Sequence, residues 1–254
     1  TADLKKKDVP CSPSLDVISL LVDVSETSDW ALAGLPGDPL SIQNGIVVTR
    51  SSRYPLLIDP QGQAIKWIRQ HEAERLPQFG ITALNNPRIK DQLEFAMAEG
   101  KALIVAGVEE ELDPMLDPVL NKQWIQKGKS KYINLMDKLC EFQDAFMLYL
   151  TTRLPNPHFS PEDQAKCVVV DFTVTRKGLE EQLLGRVIQK EQRSLEEQLN
   201  TVLEEVATNT KALLRLDAML LERLTANTGN LLDDLELISV LAETKAKAKD
   251  VNEK

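Results

Sequence analysis

Gly62 and its neighbours are the part of this chain whose residue types and spacing could do chemistry. The run YPLLIDPQGQAIKWIRQHE, Tyr54 to Glu72, opens as a short apolar strand of Tyr54, Leu56, Leu57 and Ile58. It turns through Asp59, Pro60, Gln61 and Gly62 and leaves as an amphipathic helix, with Ile65, Trp67 and Ile68 to pack and Lys66, Arg69 and Gln70 for solvent. Strand, glycine-bearing loop and helix are the setting of a phosphate-binding loop, GxxxxGK[ST]. With Gly62 on the second glycine, Leu57 stands where the first belongs, Gln63 on the lysine and Ala64 on the Ser/Thr. In a working loop the lysine brings positive charge to the outer phosphates and the hydroxyl holds magnesium. Gln63 has no charge and Ala64 no oxygen. Asp59, Pro60, Gln61, Gly62, Gln63 and Ala64 therefore read either as a vestigial phosphate loop or as an ordinary βα turn that never met a nucleotide.

Elsewhere the reactive residue types are scattered. His71 follows the amphipathic helix and His158 sits among prolines, and both read as surface or satisfied groups. Glu109, Glu110 and Glu111 fit a solvated helix start. Ser, Cys and His form no nucleophile signature. Cys11, Cys140 and Cys167 are odd in number and lack CxxC spacing, which points to reduced thiols in a cytosolic protein. A net charge of −9 leaves no basic surface to displace counterions, so nucleic acid is not an expected partner. No apolar run approaches the length of a membrane span, and no signal peptide is visible. With 254 residues, 43% of them hydrophobic, the chain can build one or two domains around a sizeable core. It begins at Thr1 and stops at Lys254 inside a helical pattern, so a segment of a longer protein is expected.

The elements that must position the loop alternate. Residues 1 to 14 are a polar lead-in with Lys5, Lys6 and Lys7. Leu15 to Val24 fits a short helix or an extended segment, Trp30 to Pro39 is broken by glycines and prolines and reads as loop, and Leu40 to Arg50 is ambiguous. After the central unit come a short strand at Ile81 to Leu84 and a helix from Asn86-Pro87 to Gly100, with Ile89, Leu93, Phe95, Ala96 and Met97 on its buried face. ALIVAGV, Ala102 to Val108, reads as a buried parallel strand, and Asp113 to Trp124 as a helix. Trp67 and Trp124 fall on helix faces and are assigned to the core. Tyr132 to Phe142 suggests a β-hairpin around Met136-Asp137-Lys138, and Ala145 to Thr151 and Cys167 to Val174 are two more strands. Strands at 54–59, 81–84, 102–108, 145–151 and 167–174 separated by helices imply one parallel, doubly wound sheet.

At Thr175 the pattern changes. From Leu179 to Leu224 there is no proline and only Gly185, which predicts a continuous helix. Leu195, Leu199, Val202, Val206, Asn209, Leu213, Leu216 and Leu220 step by four and three as a heptad seam. Leu183, Leu184, Val187 and Ile188 are available to dock its start on the globular body. Thr228-Gly229-Asn230 ends the helix, and Asp233 or Asp234 opens a return helix, making an antiparallel hairpin.

Four stretches in consistent order carry a resemblance: LSIQNGIVVTRSSRYPLLIDPQGQAIKWI, EELDPMLDPVLNK, LYLTTRLPNPHFSP and VVVDFTVTRKGLEEQLLGRVIQKE. Together, over roughly residues 15 to 250, they resemble the dynein heavy chain of axonemal type, at the fifth AAA+ module of its motor ring. The resemblance implies an AAA+ P-loop-type α/β fold with flanking helices, followed by a long coiled-coil hairpin. It divides the chain into a lead-in over 1–39, a large α/β subdomain over 40–175, and a small helical subdomain with the start of the buttress over 176–254. In that family the buttress props the microtubule-binding stalk, and ATP is hydrolysed chiefly in the first module.

The resemblance further implies that this module is degenerate and structural, with no cofactor of its own. ATP and magnesium serve other modules of the parent motor. The expected partners are neighbouring AAA+ modules, the stalk, microtubules indirectly and other dynein chains, in the cytoskeleton of a cilium or flagellum. An active module ends its third strand in Asp-Glu, for which Ala106 and Gly107 stand here, while Thr151 or Thr152 takes the polar position after the next strand. Lys166 lies where an arginine finger would be, with the charge but without the planar fork. Two other readings stay open on the residues alone: an independent P-loop-like nucleotide-binding protein, and a coiled-coil adaptor.

Overall fold

The computed structural model describes residues 17–109, 111–128, 130–136, 138–226 and 245. They form two compact units: Ala33–Leu184, and a helical unit made of the chain up to Leu32 with the chain from Gly185 onward.

In the first unit α3 (Pro39–Arg50) begins on Asp38, whose carboxylate accepts from the Ser41 amide, with proline in the first turn. Five short strands then make one sheet: β1 (Pro55–Ile58), β2 (Ile81–Ala83), β3 (Ala102–Ala106), β7 (Met147–Thr152) and β8 (Val168–Asp171). Every pairing is parallel, in the order β2-β3-β7-β1-β8. The expected parallel sheet is present, with β8 at the edge opposite β2 and β3. β7 takes the centre, with β1 beside it.

Alternation along the strands separates two apolar faces. Leu56, Leu103, Val105, Leu148 and Leu150 share a core with Leu93, Ala96 and Met97 of α5 (Ile89–Glu99). Paired residues Leu57, Val170, Ile104 and Tyr149 lie on the other face, where Tyr149 meets the end of α4 (Gln63–His71). Helices thus cover both faces.

Three expectations for this unit are corrected. Phe95 is exposed rather than part of the buried face of α5, and packs edge-on against Phe79. The helix expected over Asp113 to Trp124 is a 3-10 turn at Pro114–Leu116 and one turn of helix, α6 (Asp117–Leu120). Lys122 then adopts a positive φ of 51°, which ends any helical path. Trp124 instead starts β4 (Trp124–Lys127), the unforeseen third strand of an antiparallel sheet with β5 (Ser130–Leu135) and β6 (Lys138–Phe142). There it is 44% exposed, beneath Lys131, and is not core. The expected hairpin of β5 and β6 is in place, with Met136 at φ 56° in its turn. A helix, α7 (Pro161–Lys166), capped by Ser160, leads into β8.

In the helical unit α1 (Val17–Leu21) and α2 (Val24–Leu32) precede the sheet-bearing chain. The loop expected from Trp30 begins only after Leu32. Trp30 is the buried anchor of α2, which packs on α9 (Arg193–Ala226). Lys211 pairs with Asp29 at 2.6 Å, and Leu216 is 5% exposed. Helicity is not continuous from Leu179: α8 (Arg176–Glu191) and α9 are separated at Gln192, although the Gln192 amide still reaches the Ile188 carbonyl at 2.7 Å. Leu183, Leu184, Val187 and Ile188 are exposed. Of the heptad seam, Val202 and Val206 are also exposed. The expected stop at 228–230, the return helix and the hairpin they would close lie outside the described residues.

Candidate functional site

The candidate site is the crevice at the carboxyl ends of the parallel strands, where open α/β sheets bind ligands. The β1 strand ends at Ile58, opposite Thr152 on one side and Asp171 on the other. Asp59 continues the pairing by donating its amide to the Thr152 carbonyl at 2.9 Å. The chain then turns, with Gly62 at φ 76° as the residue before α4. A side chain is strained at that φ, so the glycine of the motif is required by the turn itself.

The Asp59 side chain points into the loop. Its Oδ1 accepts from the Gln63 amide at 2.8 Å and its Oδ2 from the Ile65 amide at 2.9 Å, and the residue is 2% exposed. These N–H groups belong to the first turn of α4 and have no partner within the helix. The Gln63 side chain leaves the loop and accepts from Gln182 Nε2 of α8 at 3.2 Å, while Ala64 is fully buried against the body. On this side Asn44 donates to the Asp171 carbonyl at 2.6 Å, and the first turn of α8 is held by Thr175 Oγ1, which accepts from the Gly178 amide at 3.1 Å. The cleft bounded by Asp38, Ser41, Asn44, Gln63, Phe172 and Gln182 keeps a cavity of about 10 Å³, room for about one water molecule.

The remaining expected residues fall around this centre. Ala106 lies opposite Thr151 at the end of β3, and Gly107 follows at φ 73°. Thr151 and Thr152 are buried, and Thr152 Oγ1 accepts from the Leu154 amide at 3.2 Å. Glu109 and Glu111 are exposed, but they lie in the loop before the 3-10 turn that Asp113 caps and not at the expected helix start; Glu110 is outside the described residues. Lys166 is 2.9 Å from both Asp117 and Glu162 and 3.7 Å from Asp163. The hydrogen bonds that it donates to Asp117 first and Glu162 second raise its pKa, so it stays charged inside a cluster of this chain's own acids. His158 is exposed, and His71 is exposed while stacking on Trp67. Burial, and then the charge of Asp163, push the Cys167 thiol up to about 12, far from a nucleophile's range.

A second polar centre had no signal in the sequence. Tyr149 donates to Glu72 Oε1 at 2.7 Å, Arg75 pairs with Glu72 Oε2 at 3.1 Å, and Arg75 also donates to the Ala145 carbonyl. Glu72 and Tyr149 are buried at the edge of a cavity of about 330 Å³. Burial, then the negative charge of Glu72, raise the tyrosine pKa, so its hydroxyl remains a donor. The bond joins the end of α4 to β7. Glu72→Ala leaves a buried donor unmet and should cost about 2–3 kcal/mol; Tyr149→Phe should cost about 1–2. In a double-mutant cycle measured by denaturant unfolding the two should couple by about 1 kcal/mol or more. Additive losses would show that the bond contributes nothing.

The family model described as the ATP-binding dynein motor region matches residues 28–251. The chain belongs to the dynein motor family. It is 51% identical over 253 residues to the dynein gamma chain of the flagellar outer arm of Chlamydomonas reinhardtii. It is 47% identical over 252 residues to dynein axonemal heavy chain 8 of Homo sapiens, and 44% identical over 252 residues to dynein axonemal heavy chain 5 of Mus musculus. Each comparison covers 99% of this chain, so the resemblance to axonemal dynein heavy chains holds over nearly its whole length. The chain spans only 6%, 6% and 5% of those relatives respectively. The dynein segment therefore folds as a parallel sheet with flanking helices, in keeping with an AAA+ α/β unit.

Proposed function

We propose that this segment is a structural AAA+ module, the fifth of the motor ring of an axonemal dynein heavy chain, and that it relays ring movement instead of hydrolysing ATP. The observation that carries the reading is the state of its loop. Gln63 is engaged with Gln182, Ala64 is packed in the body, and the cleft beside them has room for about one water. A transferring phosphoryl group there would meet neither a lysine nor a metal ligand, and loss of one such stabilising group costs roughly a hundredfold or more in rate. ATP and magnesium act, on this reading, in other modules of the parent chain. The module's partners are its ring neighbours, the stalk coiled coil and, through them, microtubules, alongside other dynein chains of the ciliary or flagellar axoneme. The names of the relatives support that location, since they are axonemal and flagellar arm chains.

Calorimetric titration of the 254-residue chain with Mg-ATP and with Mg-ADP tests the central claim. The expected result is no saturable heat and no phosphate release at millimolar nucleotide. Saturable binding tighter than about 100 μM, equivalent to more than roughly 5 kcal/mol, would show that the module keeps a nucleotide site and would overturn the structural reading.

A further inference from the structure

We infer that the Asp59 carboxylate is a built-in counter-anion of this loop, holding the start of α4 closed in the position a bound anion would otherwise take. The inference concerns the loop itself and stands wherever in a heavy chain the segment lies. Three independent observations carry it. The first is the pair of bonds: each oxygen of one carboxylate accepts from a different first-turn amide, Gln63 and Ile65, at 2.8 and 2.9 Å. A helix start is electropositive and attracts negative charge within its first turn. The second is position. Asp59 lies between Leu57 and Gly62, inside the span that matches a phosphate loop, and its own amide is fixed to Thr152. The carboxylate therefore comes from within the loop, on a backbone position that is fixed to β7. The third is closure. The residue is 2% exposed, and the neighbouring cleft is fastened across by Gln63 to Gln182 and Asn44 to the Asp171 carbonyl.

A consequence is that a phosphate could not simply be added. It would have to share the two amides with a buried carboxylate, and like charges at contact repel strongly where water is excluded. The missing lysine and hydroxyl at Gln63 and Ala64 are therefore not the sole barrier.

The test is chemical rescue in the 254-residue chain. Asp59→Gly removes a CH₂COO⁻ group, and acetate is its free counterpart. Thermal midpoints are measured with sodium acetate, inorganic phosphate or sodium chloride at matched ionic strength. The wild-type midpoint should respond to acetate and phosphate without saturation. Asp59→Gly should unfold roughly 5–10 °C lower, the size expected when two charge-assisted bonds are lost in a domain of this length. Acetate should then restore at least half of that loss along a saturating curve, because only the folded form offers the vacated amides. Chloride should not. A glycine variant as stable as wild type, or one rescued no better by acetate than by chloride, would overturn the inference. So would saturable stabilisation of the wild type by phosphate. Should the glycine variant fail to fold, Asp59→Asn decides. Its amide keeps the shape but faces one N–H with another, so the midpoint should fall with no rescue by acetate, and an unchanged midpoint would count against the proposal.

Discussion

Prolines at Glu205 and Ala212 of α9, placed in the intact heavy chain, should leave ATP turnover running while nucleotide state loses its grip on microtubule affinity. Both positions lie well inside the helix Arg193–Ala226, so each proline removes a backbone bond and forces its ring against the preceding turn, at about 3 kcal/mol or more. Neither residue is buried, so the damage is to the helix and not to a core. If α9 is the arm through which the proposed relay works, a coupling of the usual 1–3 kcal/mol, about 5–150-fold in affinity, should collapse toward unity. Alanine at Glu205, which preserves the helix, should change nothing. Turnover shows that the ring still works, and loss of α9 helicity can be read independently by hydrogen exchange. Affinity that still cycles normally in a motor whose α9 is demonstrably broken would remove this helix from the transmission path. The break already present at Gln192 sharpens the experiment: α8 and α9 are separate helices, and the prolines test α9 alone.

Trp67→Ala should cost about 3–5 kcal/mol, the usual range for emptying an aromatic site in a core. Trp67 is completely buried in α4, with the His71 ring stacked at 5.7 Å and the Phe172 ring tilted at 6.1 Å. Phe172 directly follows β8 and donates its amide to the Ile58 carbonyl at 2.9 Å. The indole thus braces the helix that opens at Gly62 against the last strand of the sheet. For a domain of this size the loss corresponds to roughly 10 °C in Tm. Trp67→Phe, which keeps an apolar ring, should recover much of it. His71→Ala should cost little, because that ring is exposed. Denaturant midpoints with unchanged slopes would make the comparison clean, and a Trp67→Ala loss below about 1 kcal/mol would mean that the site collapses without a cavity.

Much of the sheet was legible because buried parallel strands are written as continuous apolar runs. ALIVAGV, LYLT and CVVVD each stand out between helices with one apolar face. Amphipathic spacing served equally well for α4, where Trp67 and Ile68 are buried and Lys66, Arg69 and Gln70 exposed. The failures came where two periods agree locally. Met115, Leu116, Val119 and Leu120 do pack as helix residues, and Trp124 falls four further on. The positive φ of Lys122, which pattern alone does not reveal, sends the chain into a strand instead. Phe95 has the spacing of a core residue but meets solvent beside Phe79. At the candidate site the glycine turn and the absence of lysine and hydroxyl were visible in Gly62, Gln63 and Ala64. The role of Asp59 was not, because an aspartate before Pro-Gln-Gly looks like turn chemistry until its two oxygens are seen on the Gln63 and Ile65 amides. The Tyr149–Glu72 bond, between residues far apart in the chain, had no local signature at all.

The order of strands in the sheet sets a timetable on the ribosome. β2 and β3 are near neighbours in sequence and can pair soon after they emerge. β1 emerges earlier than either, yet it pairs only with β7 and β8, so Leu56 must wait for Leu150 and then for Val169. At roughly 5–20 residues per second the first of those waits lasts about 5–20 s. Throughout it a strand that the finished fold buries, with Leu56 and Leu57 at 0% exposure, has no strand to lie against. Slowing translation between β1 and β7 lengthens the time that this apolar strand stays unpaired and should lower the yield of folded protein.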